Sequence, residues 1–228
     1  MQLYYPSPQN EAQIAEIRRT IVLSMNGVVA DKMKESGLSY KKNYGVTIPR
    51  LKEIASAYKA DHNLAHGLWI LGVRETMILA TMLEPASLFT IEDARKRIAE
   101  CKNIEITEQI CINLLGKLSY APALCIECVM SDETWQQTIG FLLAARVYKV
   151  LDRAVVLQLL NRAFECADTD EYHLYRTIAT CLGRFCRIDN EILTTISSRI
   201  ASMDVANKSA ALFIAEEVKQ EIKFLADL

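Results

Sequence analysis

The side chains able to do chemistry fall into a few groups along the chain. Glu100, Glu105 and Glu108 put three carboxylates in one stretch of helical periodicity. A carboxylate on a helix edge can act as a general base or steady a developing cation. A solvated polar face accounts for the same residues, because charged helix positions are mostly exposed. Lys32, Lys34, Lys41 and Lys42 gather around a segment that ends at Tyr44, and Tyr40 and Tyr44 bracket the Lys41-Lys42 pair. Cations interleaved with aromatic rings can hold a phosphate backbone and stack on bases. An ordinary amphipathic loop has the same make-up. Arg176, Arg184, Arg187 and Lys208 recur further along. If those stretches stack as repeats, equivalent positions share a face and can track a polyanion. Dispersed solubilising charge is the alternative.

Other spacings invite a functional reading and have a plainer one. Cys125-x-x-Cys128 has redox or metal spacing, but no second such pair follows and no histidine is placed to complete a site. Two thiols three apart share a helix face, so packed thiols are expected. His62 and His66 are four apart, a spacing that can hold a metal, yet no third ligand stands in a telling position. No metal site and no cofactor are expected. Trp69 and Trp135 fall on apolar stripes and are expected in the core.

The elements that must position these groups are helices. Only five prolines and eight glycines punctuate the chain, and no strand-type alternation is sustained. Residues 10–35 read as one or two helices broken near Gly27. Residues 37–46, GLSYKKNYGV, read as a loop. Thr47 is placed to cap a helix with Pro49 in its first turn, carrying Leu51, Ile54, Ala55 and Tyr58 on one face. Helices over 62–71 and 73–84 follow, closed by Pro85. Thr90 to Asp93 matches a capping box before a helix to Cys101. Further helices are expected over 104–118, 122–130, 132–150 with Ser131 as cap, 153–167, 170–186, 190–203 and 205–227. Hairpins restart near residues 47, 86, 120, 152 and 188, a period of roughly 35–40, slightly short of a HEAT or armadillo repeat. Each hairpin has more apolar surface than it can bury alone, so stacking is expected, with a compact bundle as the alternative.

Composition narrows the function classes. Lysine and arginine total 26 against 28 acidic residues, a net charge of −2, so any polyanion must be met by a local patch. Seven cysteines, mostly on apolar helical positions, suit reduced buried thiols. No run of about 18 uncharged apolar residues is present. The opening MQLYYPSPQNEAQ lacks a basic region followed by an apolar stretch. A cytoplasmic monomer, with no membrane segment, is the expectation.

Residues 43–86 carry Gly45-Val46, Pro49, Leu51-Lys52, Leu68-Trp69 and Arg74-Glu75. In this pattern the chain resembles the AlkD-like DNA alkylation repair family, whose members have a Gly-Val-x-x-Pro turn into a helix, then Leu-Trp and Arg-Glu pairs. Ser131 to Trp135 and Tyr148-Lys149 are similar to a later segment of that family, and the resemblance runs from about residue 20 to 215. It implies an all-α, HEAT-like repeat α–α superhelix, one domain over residues 1–228, whose concave face grips DNA. Active members hydrolyse the glycosidic bond of N3- or N7-alkylated purines. The base is already cationic and leaves readily, and a carboxylate steadies the oxocarbenium-like sugar.

The resemblance implies a Trp and an Asp four residues apart on one helix, an Arg in a later helix and a further Trp. These positions fall on Ile104, Glu108, Thr138 and Thr180. Only Glu108 keeps its chemistry. The expectation is therefore a DNA-binding member, for double-stranded or branched DNA, with ordinary alkylpurine glycosylase activity in doubt. Lys34, Lys41, Lys42, Tyr44, Arg176, Arg184 and Lys208 are the expected DNA contacts. The alternatives are a glycosylase using Glu108 and a scaffold that holds a protein partner.

Overall fold

The computed structural model describes residues 7–38, 40–206 and 208–227. The first six residues of the opening MQLYYPSPQNEAQ, where no leader pattern is expected, lie outside the described residues. Among the described residues, thirteen α-helices and two short 3-10 turns make up the regular structure and no strand occurs. The helices are α1 Pro8–Leu23, α2 Gly27–Glu35, α3 Ile48–Ser56, α4 His62–Ile70, α5 Arg74–Leu83, α6 Ile91–Glu100 and α7 Ile104–Asn113. There follow α8 Ala121–Val129, α9 Thr134–Val147, α10 Arg153–Glu165, α11 Tyr172–Phe185, α12 Asn190–Ala201 and α13 Ser209–Ala226. Inter-residue contacts divide the chain into two compact units, with the boundary between Leu118 and Ser119.

In the first unit α5 is the hub: α3, α4 and α7 pack on it, and α1 packs on α4. Leu51, Leu64, Leu68, Ile78, Leu79, Ile106 and Ile110 are fully or almost fully excluded from solvent. Each such side chain contributes about 1.5–3 kcal/mol relative to exposure. In the second unit α9, α11 and α13 stack in a row, with α8 against α9 and α10, and α12 against α13. Gly140 explains how closely α8 and α9 approach. A Cβ there would meet Val129 Cγ2 at 2.6 Å and Val129 N at 2.8 Å.

The local signals behave unevenly. The Thr90–Asp93 capping box is formed in both directions. Thr47 stands at the amino end of α3 but its side chain makes no capping bond. Pro49 occupies the second helical position and has no N–H to offer, which removes one of the two donors a cap would use. Ser131 does not cap α9: the helix starts three residues later, and the Ser131 hydroxyl accepts the Glu133 N–H instead. The expected 104–118 helix stops at Asn113, and the chain tightens into a 3-10 turn over Leu115–Lys117 that contains Gly116. Leu114 and Leu118 are buried nonetheless, from outside the α-helix.

Candidate nucleic-acid interface

The segment from Tyr40 to Val46 is held by a buried ion network. Arg74, the first residue of α5, has a side chain only 1% exposed. Its Nε and Nη2 donate to the two oxygens of Glu105 on α7, at 2.8 and 2.6 Å. Its Nη1 donates to the Val46 carbonyl at 2.7 Å and to Glu75 at 3.0 Å. Glu75 is fully buried and accepts the N–H groups of Tyr44 and Val46. The Tyr40 hydroxyl donates to Glu105 at 2.8 Å. Burial opposes the Arg74 charge, but Glu105 and Glu75 outweigh it and hold its pKa above the usual range. Burial, reinforced by Glu105, pushes the Tyr40 phenol well up. Every charge here is paired, which is the condition for tolerating charge in a core.

Backbone contacts complete the anchor. Arg74 N–H donates to the Lys42 carbonyl at 2.9 Å, beside an isolated Lys42–Val73 bridge. Asn26 N–H donates to the Tyr44 carbonyl at 2.8 Å. Gly45 adopts φ +71° and lies so close to the Asn26 carbonyl that any Cβ would run into it. The result is a short basic loop on a rigid footing. Lys41 and Lys42 are exposed, and Lys42 Nζ stands 4.6 Å from the centroid of the half-buried Tyr44 ring. Lys34 is exposed in the last turn of α2. Among the described residues none of these three lysines forms an ion pair.

The three carboxylates part company. Glu105 faces the Arg74 network rather than an open edge, and Glu100 accepts the indole N–H of Trp69. Glu108 is exposed on α7, and Ile104, at the position where the resemblance implies an aromatic, is half-buried. Trp69 is buried with the Arg97 guanidinium 4.3 Å over its ring, while Trp135 is half-buried against His173. His62 Nδ1 lies 2.6 Å from the buried Glu84. Cys125 and Cys128 are buried free thiols, and burial pushes Cys128 up to about 12. Among the described residues no three His, Cys, Asp or Glu side chains assemble around a point that suits a metal ion.

In the second unit a groove of about 430 Å³ runs between α11 and α13. Arg176, Thr180 and Arg184, spaced one turn apart, and then Arg187 line one wall; Phe213, Glu217 and Glu221 are on the α13 side. Arg176 donates to the Tyr172 hydroxyl at 3.0 Å. Arg187 is ion-paired with Glu221, and Lys208 with Asp168 at 2.8 Å. Arg184 is exposed and forms no ion pair among the described residues. The groove therefore carries both signs of charge. Thr138 is buried with its hydroxyl on the Thr134 carbonyl, and Thr180 bonds the Arg176 carbonyl in the same way.

Sequence reasoning found the lysines and missed their support. Arg74-Glu75 was legible as a charged pair inside an apolar run, the one signal pointing to a buried network. Nothing local linked it to Glu105 or Tyr40, each more than thirty residues away.

No curated protein sequence matches the chain. One solved structure is described as a protein related to the HEAT-like repeat DNA glycosylases with affinity for branched DNA structures. It matches with a TM-score of 0.77 at 12% identity, covering 91% of this chain and 94% of that one. At that identity the likeness shows the fold, which is all-α and HEAT-like. A family model described as DNA alkylation repair enzyme matches residues 24–171, a stretch that takes in the basic loop, the Arg74 network and α7. With well over half of its length matched, the chain belongs to the DNA alkylation repair enzyme family.

Proposed function

We propose that this protein binds DNA through its phosphate backbone and that the Lys41–Lys42 loop of the first unit is its principal contact. The observation that carries the reading is the combination of exposed lysines, free of ion pairs among the described residues, with a backbone fixed by buried charge. A cation held on a rigid footing loses little freedom on meeting a phosphate, so more of the attraction survives as affinity. The description of the structural relative, with affinity for branched DNA, supports the same direction. Lys34 adds charge beside the loop, and Arg176 and Arg184 are secondary contacts. Fluorescence anisotropy of a labelled duplex tests this: binding should weaken steeply as salt rises, as counterion release requires. Affinity that ignores salt would remove the reading.

A second reading, hydrolysis of alkylpurine nucleotides, has one observation in its favour: Glu108 is an exposed carboxylate on α7. Against it stand Ile104, Thr138 and Thr180, none of which can stack on a cationic base or carry positive charge. Incubation with methylated DNA should release no free 3-methyladenine or 7-methylguanine above the spontaneous rate. Release that disappears in Glu108→Gln would establish the enzyme.

A further inference from the structure

The corner between α1 and α2 exposes an apolar cluster that the first unit does not use. Leu23 is 80% exposed, Val28 67%, Met25 61% and Val22 43%, all within seven residues. Helix α1 buries Ile17 and Ile21, whereas α2 has no buried residue at all. Nine residues are too few to hold a helix in water unaided. What holds α2 is the basic loop: Asn26 N–H on the Tyr44 carbonyl, Gly45 against the Asn26 carbonyl, and Asn43 Nδ2 3.4 Å from Met33 sulfur. The apolar corner and the lysine loop are thus joined through Asn26 and Tyr44. Arg50 braces the corner from α3, donating to Ser24 Oγ at 3.2 Å while pairing with Glu53 at 2.8 Å.

We propose that this corner is a wedge that stacks on base faces exposed where a DNA duplex is interrupted. The inference rests on the DNA-binding reading and deepens it. An occupant must offer apolar surface to Leu23, Met25 and Val28 and negative charge to Lys41 and Lys42, whose loop is tied to the corner through Asn26 and Tyr44. A base pair left open at a junction, fork or gap offers both, with the phosphates beside it. Apolar side chains inserted at base steps are an established way to read deformed DNA. A continuous duplex hides its base faces and gives the wedge nothing to cover.

The test compares plain duplex, forked DNA with 2-aminopurine at the branch point, and single strands. It uses the wild type, Leu23→Ser/Met25→Ser and Lys41→Ala/Lys42→Ala. The serine substitutions are at exposed positions, and an unchanged Tm checks that the fold is kept. The wild type should prefer the fork over duplex by about tenfold and change the 2-aminopurine emission on binding. The serine variant should lose the preference and the emission change while keeping duplex affinity. The alanine variant should lose affinity for all DNA. A serine variant with fork preference and emission intact overturns the wedge and leaves DNA binding standing. Equal losses on every DNA also overturn it. So does a concentration-dependent dimer that the serine variant abolishes without altering fork preference, since the patch would then be covered by a second copy. No binding of any DNA by the wild type overturns the underlying reading along with it.

Discussion

The two basic surfaces of this protein differ in how their charge is held. In the first unit, the charge that anchors the lysine loop is paired inside: Arg74 is buried with Glu75 and Glu105, and Lys41 and Lys42 have no carboxylate partner among the described residues. In the second unit, the pairing lies outside, where Arg187 and Lys208 meet Glu221 and Asp168 at the surface. The groove beside α11 also contains Glu217. A neutral chain can thus present one patch ready for a polyanion and another already balanced. Counting lysines and arginines along the sequence does not separate the two.

Breaking the buried network should have the largest effect. Arg74→Ala leaves Glu75 and Glu105 unpaired in the core and should cost about 3–5 kcal/mol, read as a fall in Tm. Release of the 40–46 loop should accompany it, visible as faster amide exchange at Tyr44 and Val46. Gly45→Ala comes next. A positive φ and collision with the Asn26 carbonyl together should cost about 1–3 kcal/mol, again by thermal unfolding, and should free α2 with the loop. Lys41→Ala/Lys42→Ala should leave Tm unchanged and lower DNA affinity by about tenfold or more at moderate salt. Arg187→Ala and Lys208→Ala sharpen the contrast, because each removes a charge that is already balanced at the surface. Neither should change Tm or DNA affinity measurably. If they matched the lysine variant, the distinction between the surfaces would collapse.

A small pH effect runs through both units. Burial, with Arg97 and His62 nearby, lowers His66 in the first. Burial and Arg176 lower His173 in the second. A base whose folded pKa lies below its unfolded value gives full stability above about pH 6.5. Below that, the unfolded chain takes up the proton first, and stability is lost as pH falls toward the folded pKa. His66→Gln and His173→Gln should each flatten the decline in Tm between pH 7.5 and 5, and the larger flattening marks the unit that yields first.

Much of the scaffold was legible because helix periodicity is a local property. The stripe Ile106, Ile110 and Cys111 is buried as its spacing requires, and Thr90 with Asp93 caps as the residues suggest. Cys125 and Cys128 are packed thiols, as the lack of further ligands implied. The site was legible only in part. Lys41, Lys42 and Tyr44 do come together because they are neighbours in the chain. Glu105 was grouped with Glu108 as an open-edge carboxylate, yet it is bound by Arg74, 31 residues earlier. Lys208 was grouped with the DNA contacts, yet it pairs with Asp168, 40 residues earlier. Side-chain partners that far apart leave no periodic trace. Ser131 and Thr47 teach the same point at short range, where an alternative N–H occupies one hydroxyl and a neighbouring proline removes a donor from the other.

The central claim is tested most directly by the slope of log affinity against log salt for one duplex, in the wild type and in Lys41→Ala/Lys42→Ala. Two lost phosphate contacts should make the slope shallower by about two. An identical slope in the two proteins would mean that these lysines meet no phosphate, and the loop would be a structural brace alone.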